Sequence, residues 1–68
     1  MNEDKLNMDI RAFLKRFGVT AQREIEKAVR DAMAAGTLQG TETLRARAHL
    51  EVEGVDLSLT IEGDLHLE

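Results

Sequence analysis

The chain has 68 residues, no cysteine, no proline, a formal net charge of -4 and 43% hydrophobic residues, with only two aromatics, Phe13 and Phe17. Such a length is one domain, residues 1–68, near the lower limit for folding alone, and the missing cysteines exclude a disulfide framework or thiolate metal site. No apolar run approaches the ~20 residues of a membrane span, and the acidic start Met1-Asn2-Glu3-Asp4 is unlike a secretory signal, so the expectation is a soluble cytoplasmic protein.

Asn2 has the side chain of a helix N-cap, and Glu3 and Asp4 place negative charge where the helix dipole favours it. Leu6, Ile10, Phe13, Leu14 and Phe17 follow at spacings of three and four, which makes one apolar stripe. Gly18 is a natural left-handed terminator, so a first helix is expected over about 3–17. Val19-Thr20 restarts the chain, with Thr20 as cap, and Ile25, Ala28, Val29, Ala32 and Met33 mark a second helix over about 21–35. Glu26 and Arg30 form a favourable i,i+4 pair on it, and Gly36 closes it.

Residues 37–43, with Gly40 inside and Leu38 as an anchor, read as a connection. Beyond it the periodicity changes from that of a helix to that of a strand. Leu44, Ala46, Ala48, Leu50 and Val52 take alternate positions, and Leu57, Leu59, Ile61, Leu65 and Leu67 repeat the pattern after Gly54. Strands are expected over about 44–53 and 56–67, each with one oily and one wet face. A two-residue turn at Gly54-Val55 sets Glu53 opposite Asp56, Leu50 opposite Leu59, Arg47 opposite Glu62 and Arg45 opposite Asp64. Opposite charges across the strands favour this alignment. Val55 is an awkward turn residue, which leaves room for a longer loop. The expected fold class is α+β, in the order α-α-β-β: a two-helix pair packed on one face of a C-terminal antiparallel hairpin.

The chemistry that the chain offers is sparse. His49 and His66 project from the wet face opposite Thr60 and Thr43, apart from each other and without the spacing of a metal site. Ser58, the only serine, occupies an ordinary strand position with no glycine elbow. Carboxylate pairs such as Glu51 with Glu62 or Glu53 with Asp56 show no sign of the desolvation that acid–base work needs, and no glycine cluster precedes a helix to hold phosphate. No enzyme, cofactor or metal is expected.

Two classes of binding function remain. The stretch from Arg11 to Arg30 holds six basic residues, whereas none occurs after Arg47 and the tail is acidic. A helix, a turn with Gly18, a second helix and a hairpin suggest a reduced winged helix-turn-helix, with Gln22, Arg23, Lys27 and Arg30 facing nucleic acid. Against it stand Leu14 and Glu24, where that motif carries a small and an apolar residue, and the acidic hairpin tip at Glu53 and Asp56. The reading preferred is a non-enzymatic protein-interaction module. A two-stranded hairpin is marginal alone and has two open edges, so pairing with a second copy, as a homodimer, has a physical motive.

The runs from Met1 to Ile10, from Phe17 to Val29 and from Gly36 to Leu44 resemble a family of very small bacterial proteins of unknown function, over nearly the whole chain. That resemblance implies a bacterial, cytoplasmic, stand-alone protein and carries over no catalytic or binding residue.

Overall fold

A computed structural model describes residues 1–68 and arranges them as one helix followed by a two-stranded antiparallel hairpin, an α+β chain. The residues fall into two units, Met1–Thr37 and Leu38–Glu68.

The first unit is a single helix, α1, over Glu3–Ala34, 32 residues in length. It starts where the sequence predicts: the Asn2 side chain accepts from the Lys5 amide at 3.0 Å, with Glu3 and Asp4 in the first turn. It also stops as predicted. Gly36 has φ +79, its amide donates to Met33 O, and the Thr37 amide reaches back to Ala32 O at 2.9 Å. That pair of bonds is a Schellman closure, which needs a residue that takes the left-handed conformation without a Cβ penalty.

The expected pair of helices does not form. No turn interrupts residues 18–20, and Gly18 is not among the glycines with positive φ. A glycine inside a helix costs only about 1 kcal/mol relative to alanine, too little to break a segment whose other residues favour continuing. The apolar pattern also stays in phase through the joint. Leu6, Ile10, Leu14, Phe17, Ala21, Ile25, Ala28 and Ala32 follow one another at steps of four, four and three. That is an 11-residue repeat of 3.67 residues per turn, which keeps one stripe on one side of a nearly straight helix. Ending the helix at Phe17 would cut this stripe in two.

The second unit is the hairpin, β1 over Thr43–Glu51 and β2 over Ser58–His66. Its register is the one that the charges predict: Leu50 with Leu59, His49 with Thr60, Arg47 with Glu62, Arg45 with Asp64 and Thr43 with His66. The ends differ. Pairing closes at Glu51 with Ser58, so Val52–Leu57 form the connection and Glu53 and Asp56 lie outside the ladder. Val55 makes a poor two-residue turn, and the longer loop takes Glu53 and Asp56 out of the paired positions expected of them. Gly54 takes φ +89 within it.

A core was expected beneath the hairpin, and none is present: no residue of the chain is buried. The apolar side chains are sorted correctly onto faces, but none is buried: Leu44, Ala46, Ala48, Leu50 and Leu65 are half-buried, and Leu59 and Ile61 are exposed.

Candidate functional site: exposed apolar faces

The hairpin divides its two faces sharply. On the polar face four of the five cross-strand pairs are connected through side chains, Glu51 with Ser58 being the exception. Arg45 Nη1 donates to Asp64 Oδ1 at 2.9 Å, and Arg47 Nε donates to Glu62 Oε1 at 2.8 Å. His49 Nδ1 and Thr60 Oγ1 lie 3.1 Å apart, as do Thr43 Oγ1 and His66 Nδ1 at 3.2 Å. His49 Nε2 also lies 3.3 Å from Glu51 Oε1. This face consumes its own polar groups and leaves few to recognise a ligand.

On the opposite face Leu44 pairs with Leu65, Ala46 with Gly63, Ala48 with Ile61 and Leu50 with Leu59. The small residues Ala46, Ala48 and Gly63 lie between leucines, and Ile61 stands out from them at 62% exposed. Both strands are edges, because the sheet has only two.

On α1 the stripe presents Leu6, Ile10, Phe13, Leu14, Phe17 and Ile25, all between 42% and 52% exposed. Its halves differ in bulk. The N-terminal half carries two leucines, an isoleucine and both phenylalanines, and the C-terminal half is built mainly from Ala21, Ala28 and Ala32. A shallow groove at mid-helix is lined by Phe13, Arg16, Phe17, Thr20 and Ala21. The sequence signal for this surface was the 4-4-3 spacing across Gly18, which is hidden when Gly18 is read as a terminator.

The residues singled out for nucleic acid lie on one continuous helix, not on a separate recognition helix after a turn. Gln22 Nε2 donates to Glu26 Oε1 at 2.9 Å, and Arg30 pairs with the same carboxylate at 3.7 Å. Lys27 pairs with Asp31 at 3.7 Å. Arg23 makes no ion pair. Gln22, Lys27 and Arg30 are therefore engaged by neighbouring acids on their own helix, and the positive field of Lys27 and Arg30 is reduced.

The structure brings no set of three potential metal ligands together. His49 and His66 sit on different strands against different threonines, and Ser58 opens β2 opposite Glu51. No helix is long and apolar enough to cross a membrane.

One polar cluster escaped the sequence reading. The Glu42 carboxylate accepts from the backbone amides of Gln39, at 2.9 Å, Gly40, at 3.0 Å, and Thr41, at 3.2 Å. Those amides, led by that of Gln39, hold its pKa below the ordinary glutamate value. The carboxylate thereby closes the loop that leads into β1, and the Glu42 carbonyl accepts from the Leu67 amide at 3.1 Å. Its role is structural, since its acceptor capacity is spent on its own loop.

Comparison with curated proteins and with solved structures gives no match. A family model does match, over residues 1–68, so the chain belongs to a family of unknown function (DUF6494).

Proposed function

We propose that the protein is a non-enzymatic interaction module that works by self-association, with pairing at a hairpin edge as one part of the interface. One observation carries the reading: a chain with well-sorted apolar faces buries none of its residues. Folding has to offset about 1–2 kcal/mol of backbone entropy per residue, and for small domains that offset comes mainly from apolar burial. Exposed apolar faces of this extent are a recognised mark of protein interfaces.

The dimensions within one chain support the same reading. The stripe from Leu6 to Ala32 is about 39 Å long at 1.5 Å per residue. The apolar face from Leu44 to Leu50 is only about 20 Å long at 3.3 Å per residue. The two surfaces are unequal and cannot fully satisfy each other, so further apolar surface is needed. A second copy supplies it, and a two-fold pair is the commonest arrangement of identical chains.

Light scattering over a concentration series tests this. A dimer or larger assembly at high micromolar concentration is expected, and Ile61→Asp, which charges the open face of β2, should weaken it. A strict monomer throughout the series would refute the proposal.

A further inference from the structure

We infer that α1 pairs with α1 of a second copy in antiparallel orientation, along the stripe from Leu6 to Ala32, with the bulky half of each helix seated on the alanine half of the other. This rests on the self-association proposed above and adds which element pairs and in which direction.

The argument begins with side-chain volume. Protein interiors are packed to crystal-like density, so facing positions must alternate large with small. An antiparallel pairing centred near Val19 sets Leu6 against Ala32, Ile10 against Ala28, Phe13 against Ile25 and Phe17 against Ala21. Three of these four layers match one large residue with one alanine, while Leu14 meets the aliphatic stem of Glu24 at the flank of the contact. A parallel pairing sets Phe17 against Phe17 and Ala28 against Ala28. It would be crowded at one end and would leave gaps at the other, and both are destabilising.

The groove at mid-helix agrees with this. Phe13, Phe17 and Ala21 line it together with Arg16 and Thr20. In the antiparallel arrangement the side chain arriving there is Phe17 of the second copy, a ridge entering a groove. Because the repeat has 3.67 residues per turn, the contact can continue along the helix with a gentle right-handed supercoil.

The area suffices. Six of the stripe's side chains are 42–52% exposed. At on the order of 100 Å² each, two helices cover about 1,200 Å², the lower bound for a stable, specific interface. The contribution of the alanines, Val29 and Met33 comes in addition.

Distances between spin labels on the intact chain decide the matter, and the lack of native cysteine makes single labels clean. Asp9, Thr20 and Asp31 are eleven residues apart, so they share one azimuth on α1, beside the stripe, and differ only in axial position. In the antiparallel pair the two Thr20→Cys labels lie about 3 Å apart along the axis, on helices 8–10 Å apart. The two Asp9→Cys labels are about 30 Å apart, and the Asp31→Cys labels about 36 Å. The expected result is a short distance at Thr20 and long ones at both flanking positions. Short distances at all three sites would mean parallel helices and would overturn the inference while self-association stood. An assembly in which the Thr20 labels are far apart would also overturn it, by placing the interface elsewhere. A monomer in every labelled form and in the unlabelled chain would remove both this inference and the proposed function.

Discussion

Arg47 Nε donates to Glu62 Oε1 at 2.8 Å across the hairpin, and the same carboxylate oxygen lies 3.8 Å from Arg45 Nε. Glu62 is therefore held between two guanidinium groups, while Arg45 also bonds Asp64 at 2.9 Å. These pairs are partly exposed, so each contributes only about 0.2–1 kcal/mol. Their effect on register is larger than on stability. A slip by one residue would break every pair and turn the leucines of one strand to the face opposite those of the other.

Replacement of Glu62 tests this network. Glu62→Gln is expected to destabilise the hairpin by up to about 1 kcal/mol and to reduce the cost of a second change, Arg47→Ala. Urea unfolding of the single and double variants measures the coupling. The same cycle in 1 M salt should give a smaller value, because exposed pairs are screened there.

Gly18 and Gly36 should respond to alanine with opposite signs. Gly18 lies inside α1 with ordinary helical φ, and a Cβ there meets nothing within 4 Å. Gly18→Ala is expected to raise stability by about 1 kcal/mol. Gly36 has equal space but φ +79. Gly36→Ala is expected to cost about 1–2 kcal/mol, through conformation alone. Thermal melts followed at 222 nm compare the two. A loss of helix in Gly18→Ala would point to a turn at that position.

Glu42 gives the loop before β1 a dependence on pH. Its folded-state pKa is lowered, chiefly by the Gln39 amide. The sign follows directly: the contribution is present above the unfolded value of about 4.3 and is lost as pH falls through the lower folded value. Amide shifts of Gln39, Gly40 and Thr41 should therefore hold steady from neutral pH to below 4.3 and then move together. Glu42→Gln should abolish that joint transition.

Asn2→Ala should fray the start of α1. The side chain that accepts from the Lys5 amide is lost, at a cost of about 1 kcal/mol. Hydrogen exchange is expected to quicken at Lys5 and Leu6, whose amides bond to Asn2, with little change beyond Ile10.

The sequence disclosed the hairpin well and the helix less well, for separable reasons. Register was legible because alternation and charge gave the same answer: Arg45 with Asp64 and Arg47 with Glu62 align only when Leu50 meets Leu59. Both ends of α1 were legible because Asn2 and Gly36 have strong local preferences. The middle was misread because Gly18, with Thr20 two residues on, looks like a stop and a cap when taken locally. The phase of Leu14, Phe17, Ala21 and Ile25 across it, which favours continuity, is a longer-range signal. The expected core failed for another reason. Alternation assigns side chains to faces, but it does not say what covers a face.

The loop Val52–Leu57 sits outside the strand ladder, with Gly54 at φ +89 and Val55 63% exposed. Because register is held by the arginine and carboxylate pairs along the strands, the bend itself carries little of the alignment. That makes it a permissive place to graft an epitope or a fluorescent reporter. A tag inserted there would follow the protein in a living cell while leaving the helix and both strands as they are.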